Sequence, residues 1–243
     1  MLILMPNMCL VTWNANCRFR DKIRLFSPDQ HDVLVIQECE NTEASKKAYG
    51  DAGWHHVWIG SNPNKGLGVF VATANSIEPL DWPVQQCRYF LPVRVFDGMT
   101  IVGVWAMGGK TRNSSYAGQI TQFLNKNKER IRSEAPIIAG DFNSNAIWDN
   151  RHAVANHTVN NEVLETLGLT SLYHRQEESA LGEERKFTFY MYRDPTKPYH
   201  IDYLYLPSEL AASSTISLGT PQDWLKHSDH IPLYIDLPTD KPL

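Results

Sequence analysis

The chain has 243 residues, 42% of them hydrophobic, and carries a formal net charge of -4 with a sequence pI near 6.1. That length and apolar content suffice for a sizeable core, which we read as one globular domain over residues 1–243. The acidic balance lends no support to a protein that grips long duplex DNA by phosphate contacts alone, although 23 Lys and Arg remain available to cluster in space.

From the N-terminus, the apolar stretch Met1 to Met5 is cut by Pro6 before a signal-peptide core forms. No window reaches the roughly 18 consecutive apolar residues of a membrane span, so the expected address is cytoplasmic, without membrane attachment. Apolar runs of strand length follow at 8–13, 32–38, 66–73, 89–96, 99–107, 136–140, 186–192, 200–206 and 231–237. Several are continuous rather than alternating, the pattern of strands covered on both faces. Asp97-Gly98, between two of these runs, suits a two-residue hairpin. The segment 62–68 reads as another hairpin turn, with Lys65 a candidate phosphate contact. Helical spacing predicts a helix over 18–26, through Phe19, Ile23 and Phe26, closed by Ser27-Pro28. A second is predicted over 115–132, with Ile120, Phe123, Leu124 and Ile131 on one face and a Ser cap, and a third over 161–168, ending on Gly168. Cys9, Cys17, Cys39 and Cys87 show neither a C-x-x-C pair nor zinc-type spacing and are read as free thiols. His55 and His56, beside Trp54 and Trp58, read as structural. Many strands with helices between some of them predict an α/β architecture of stacked sheets flanked by helices.

The informative residues are polar groups where apolar strands end: Asn14 and Asn16 after Trp13, Glu38 in "LVIQE", Asp141 and Asn143 in "IIAGDFNSN", Asp202 in "HIDYLY", and Asp229-His230 in "SDHIP". Each alone is ordinary, since Asp and Asn end strands by bonding their own backbone. Together they supply what phosphodiester hydrolysis needs. Magnesium accepts oxygen ligands, typically one or two carboxylates with water and substrate phosphate, and Glu38, an Asn carbonyl and Asp229 are candidates for that shell. A positioned water, stabilised phosphoryl charge and a proton-handling group are also required, and Asp141, Asn143 and His230 are of the right types. An imidazole so used needs a carboxylate to fix its tautomer, for which Asp202 is the candidate. Ser144 and Asn145 are assigned to the turn alone.

The blocks "TWNAN", "VIQE", "GDFNSN", "HIDYLY" and "SDHIP", in this order from Thr12 to Pro232, resemble those of the endonuclease/exonuclease/phosphatase superfamily, metal-dependent phosphoesterases of the exonuclease III and deoxyribonuclease I type. The resemblance implies a four-layer αββα sandwich of two packed mixed β-sheets flanked by helices, with the site where loops meet at one end of the sheets. It implies Glu38 as principal metal carboxylate, Asn14 beside metal and phosphate, and Asp229 as a further acidic ligand. Asp141 is similar to the aspartate that orients or deprotonates the attacking water, Asn143 to an asparagine that binds a phosphate oxygen, and His230 to the family histidine, paired with Asp202.

There is one departure. Many members carry His or Tyr after the central strand, where this chain reads "VGVWAMGGKTRNSSY". Trp105 and Met107 do not replace that group, and Tyr116 is the nearest phenol; Lys110 and Arg112 read as loop charges. Phe187, Phe189, Tyr190 and Tyr192 alternate faces, so about half of this aromatic run should be core and the rest free to stack on substrate. Tyr116, Tyr190, His200 and His174 are the candidate substrate contacts. The expected activity is a Mg²⁺-dependent phosphodiesterase, with Mn²⁺ as substitute, acting as a nuclease on DNA or RNA and working as a monomer. The alternatives are a phosphatase or phosphodiesterase on a lipid or inositol-phosphate substrate and a non-catalytic binding protein on the same fold.

Overall fold

The structure, a computed structural model, describes residues 7–84, 87–96, 98–109, 115–151 and 155–238. In chain order the strands are β1 (Asn7–Asn14), β2 (Val33–Cys39), β3 (Trp54–Asn62), β4 (Lys65–Ala72), β5 (Ile77–Pro79), β6 (Phe90–Val95), β7 (Met99–Trp105), β8 (Ile137–Asp141), β9 (Leu169–Ser171), β10 (Phe189–Tyr190), β11 (Pro198–Tyr199), β12 (Asp202–Pro207), β13 (Thr215–Leu218) and β14 (Leu233–Pro238). The α-helices are α1 (Glu43–Asp51), α2 (Tyr116–Glu134), α3 (His157–Thr166), α4 (Leu172–Glu177), α5 (Ser208–Ser213) and α6 (Pro221–Trp224).

Two six-stranded sheets form, in the orders β13-β14-β1-β2-β4-β3 and β5-β6-β7-β8-β12-β9. Each is mixed, because β1 runs parallel to β2 and β7 parallel to β8 among otherwise antiparallel neighbours. Strand alternation sorts the side chains into layers. Leu10, Val35, Val69, Ile101 and Ala139 meet between the sheets. Their chain neighbours Val11, Leu34 and Ile36 face outward onto Phe19, Phe26 and Tyr49, whereas Val102 and Ile138 face Ile120, Phe123 and Leu124 of α2. The continuous apolar runs are thus strands buried on both faces, and the αββα sandwich is observed.

Several local expectations change. Residues 18–26 form two single 3₁₀ turns, Phe19–Asp21 and Ile23–Leu25, rather than one helix. Arg18, at the left-handed φ of 55°, starts the first of them. The aromatic run at 186–192 is a strand only at Phe189–Tyr190, paired with Pro198–Tyr199, and then turns into a 3₁₀ segment. The strands on either side of Asp97-Gly98 do pair, but the Val95↔Met99 register leaves three residues between them rather than the two expected; Asp97, Lys110 and Arg112 lie outside the described residues.

Candidate active site

The catalytic candidates collect where β1, β2 and β8 end and β12 begins. Gly140 makes the β8 end possible: its φ is +148°, and a Cβ there would overlap the Val104 carbonyl. Asp141 then stands between Trp105 and Asp202 as the register partner of both. Glu38 is aimed by a bulge. The β2–β4 register shifts between Gln37 and Cys39, and Glu38 adopts the left-handed φ of 59°, a strained conformation for a non-glycine residue.

Asp141 is 1% exposed and receives three N–H donors: Asn14 Nδ2 at 3.0 Å, the Asn143 backbone at 2.8 Å and Asn143 Nδ2 at 2.9 Å. Asn143 Nδ2 also donates to the Ala106 carbonyl at 3.0 Å, so both amide protons brace the strand end. Asn14 Nδ2 lies 3.5 Å from Glu38 Oε1, while its Oδ1 accepts the Asn16 backbone N–H. Asn14 therefore turns its amide nitrogen, not its oxygen, toward the carboxylates. It bridges them rather than offering the ligand oxygen its position in the sequence suggested. Asp229 Oδ1 accepts Asn16 Nδ2 at 2.8 Å.

His230 is 4% exposed. Its Nδ1 donates to Asp202 at 2.9 Å, which fixes the tautomer and leaves Nε2 facing Asp141 Oδ2 at 4.0 Å. Thr188 Oγ1 accepts the Ile201 and Asp202 backbone N–H groups and so holds the start of β12. Burial works against a charged imidazole, but Asp202, Asp141 and Asp229 outweigh it and push His230 up to about 9. Burial, with the Asp202 charge beside it, pushes Asp141 up to about 7. A charged imidazole, two carboxylates and two carboxamides thus share one buried corner.

Beside this corner opens a cleft of about 370 Å³. Asn143 and Phe189 form its inner edge, and Tyr116, Trp148, Met191 and Tyr199 are among its walls. Tyr116 opens α2, lies over Gly108, where a side chain would collide with its ring, and is 44% exposed in the cleft. Phe189, part of the aromatic run but not among the named substrate contacts, packs 4.7 Å from the His230 ring. Tyr190, which was among them, is 8% exposed, because strand alternation gives the cleft side to its neighbour.

Two further candidates lie away from the corner. His200 is 2% exposed, with Nδ1 bonded to the Lys186 carbonyl and its ring 4.3 Å from Tyr173, so it does not line the mouth. His174 sits in α4, not at a strand end, bonded to Ser171 Oγ at 2.7 Å and Glu184 at 3.0 Å beside a separate groove. Asn145 is also more than a turn residue. It is 2% exposed, and its Nδ2 reaches Glu184, the His200 carbonyl and Tyr203 Oη, bracing the loop under the cleft. Ser144 bonds His157 Nδ1 at 3.0 Å. Nothing in the local sequence distinguishes these polar braces from turn residues, because their partners are 13 to 58 positions away.

The donor set suits a hard cation. Glu38 and Asp229 offer oxygens, and the ammonium of Lys65, 2.7 Å from Glu38 Oε2, stands where positive charge is favoured. Asp141, Asp202 and His230 also bring ligand-type atoms within 4.8 Å of one another. His230 is committed to Asp202 and favours its charged form, so the carboxylates are the better donors.

A family model described as Endonuclease/Exonuclease/phosphatase family matches residues 11–230. A 3'-5' exonuclease (NExo) from Neisseria meningitidis superposes with a TM-score of 0.72 at 20% identity, over 96% of this chain and 100% of that one. An AP endonuclease from Archaeoglobus fulgidus gives 0.70 at 18%, over 96% and 100%. TDP2 from D. rerio, complexed with single strand DNA product, gives 0.66 at 16%, over 96% and 99%. Comparison with curated protein sequences gives no match. With the family model spanning every residue of the corner described above, the chain belongs to the endonuclease/exonuclease/phosphatase family.

Proposed function

We propose that the protein is a divalent-metal-dependent phosphodiesterase that cleaves nucleic acid. The observation that carries this reading is the buried Asp141, His230 and Asp202 series lying beside an aromatic-walled cleft of about 370 Å³, whose lining includes Asn143, bonded to Asp141, and Phe189, packed on His230. A nucleoside suits such walls, since bases stack on aromatic rings without strong sequence preference. The DNA-processing relatives of the same fold agree with it.

In this reading the scissile phosphate lies against His230 Nε2, whose charge, sustained by Asp202, stabilises the phosphoryl oxygens as negative charge builds. Asp141, its oxygens held by Asn14 and Asn143, orients and takes a proton from the attacking water as the bond from phosphorus to the leaving oxygen breaks, the leaving oxygen taking its proton from solvent. Tyr116 and Phe189 position the adjoining nucleoside. Glu38 and Asp229 would hold Mg²⁺ or Mn²⁺, which when bound supplies Lewis-acid stabilisation of the phosphate charge.

The test is incubation of the purified chain with single-stranded, duplex and abasic DNA and with RNA, with Mg²⁺ or with EDTA. Cleavage of at least one polymer that EDTA abolishes is expected. Inertness toward all four, with hydrolysis of an inositol phosphate or phospholipid instead, would replace nucleic acid as the substrate.

A further inference from the structure

The hairpin between β3 and β4 carries a lysine into the active-site corner. Lys65 Nζ contacts Glu38 Oε2 at 2.7 Å and lies 5.4 Å from the centre of the Trp105 ring. Trp105 is 3% exposed and stacks on Tyr89 at 4.8 Å, and Tyr89 Oη bonds Ser61 Oγ at 3.0 Å on the same hairpin. The Lys65 ammonium thus sits between Glu38 and the Trp105 ring, while the side chain as a whole remains 42% exposed. The other Glu38 oxygen faces Asn14, and Cys17 Sγ lies 3.7 Å from Oε2. Glu38 therefore already has a monovalent partner, on a flexible stem, at one of the oxygens proposed for the metal.

A divalent ion and an ammonium repel each other, and the divalent ion is the stronger partner of a carboxylate. A lysine head is a hydrated point charge on a flexible four-carbon stem, so it can leave Glu38 while Trp105 stays stacked on Tyr89. An arriving phosphodiester would be the nearest new anion.

We propose that Lys65 is an exchangeable cation of the active site: it neutralises Glu38 in the metal-free protein, is displaced when a divalent metal binds there, and then pairs with a phosphate oxygen of the substrate. This rests on the metal-dependent reading above. It differs from a purely positioning role, in which Lys65 would orient Glu38 for the metal and its loss would weaken metal binding.

The experiment is calorimetric titration of the 243-residue chain and its K65Q and K65R variants, first with Mn²⁺ alone and then with thymidine monophosphate at saturating Mn²⁺. K65Q should bind Mn²⁺ about tenfold more tightly, since its competitor is gone, and the nucleotide about tenfold more weakly. K65R, which keeps the charge, should stay close to the unmodified chain in both. Because the Lys65 side chain is half-exposed, K65Q should retain the circular dichroism spectrum and melting temperature of the unmodified chain. Unchanged or weaker Mn²⁺ binding by a folded K65Q would overturn this inference alone. No Mn²⁺ binding by the unmodified chain would overturn the metal reading and this inference with it.

Discussion

Asp141 and Asp202 are direct partners across the antiparallel β8–β12 ladder, and His230 touches Asp202 at 2.9 Å while facing Asp141 at 4.0 Å. Two carboxylates on adjacent strand ends are thus held together by one charged imidazole. In the proposed mechanism, activity requires Asp141 ionised and His230 protonated. The first is lost as pH falls through about 7 and the second as pH rises through about 9. The profile of kcat/KM against pH should therefore be bell-shaped between these limits, which belong to the coupled cluster rather than to single residues. Asp202→Asn removes the charge that sustains the imidazolium and leaves its burial, so the alkaline limb should move to lower pH. An alkaline limb unmoved in that variant would show that His230 is not the group it reports.

Asp141 also illustrates a conflict between stability and function. Its folded pKa lies above the ordinary carboxylate value, so its ionisation opposes folding as pH rises from about 4 through 7. Asp141→Asn should raise the melting temperature by several degrees at pH 8, while turnover falls by several orders of magnitude. A variant that melts lower than the unmodified chain would show that Asp141 is a net stabilising brace.

Buried histidines elsewhere act with the opposite sign. Burial pushes His56, His157 and His200 down to about 4, and the Nε2 atoms of His157 and His200 have no hydrogen-bond partner among the described residues. The unfolded chain takes up these protons near pH 6.5 and the folded chain only near 4, so stability falls as pH drops through that window. Each such histidine costs about 2 kcal/mol at pH 5. His56 stacks on Phe70 at 4.7 Å, so His56→Phe keeps the packing and removes the proton site. Urea unfolding at pH 7.5 and 5.0 should show the loss reduced by about 2 kcal/mol in His56→Phe. Identical losses in the two proteins would mean that His56 is already charged when folded.

Glycines separate backbone constraint from ordinary propensity. Gly140→Ala should abolish the fold or lower its stability by roughly 3 kcal/mol or more, because the β8 end cannot admit a Cβ beside Val104. Gly50→Ala, within α1 and with nothing within 4 Å, should instead stabilise by about 0.5–1 kcal/mol. Thermal melts of the two variants check both signs. Equal effects would remove the steric account of Gly140.

The sandwich was legible because its strands are apolar on both faces, and the corner because Asn14, Glu38, Asp141, Asn143, Asp202, Asp229 and His230 sit where those strands end. Helix α1 was not, since its face is nearly polar and only Ser45 and Tyr49 are buried. The aromatic run misled by one residue: a two-residue strand gives Phe189 to the cleft and Tyr190 to the interior. Lys65 looked like a turn residue because its partners, Glu38 and Trp105, lie 27 and 40 positions away in opposite directions. His200 shares the parity of Asp202, yet it precedes the strand: its ring packs on Tyr173 and Tyr203, and its backbone carbonyl accepts from Asn145 and Tyr203.

The most direct test of the account is an anomalous-scattering map from crystals of the Asp141→Asn chain soaked with Mn²⁺ and a short single-stranded oligonucleotide. The account predicts the Mn²⁺ peak at the carboxylate of Glu38, a phosphate within hydrogen-bonding distance of His230 Nε2, and a nucleoside in the cleft between Tyr116 and Phe189. A peak away from Glu38, or a phosphate bound elsewhere with the His230 corner unchanged, would contradict it.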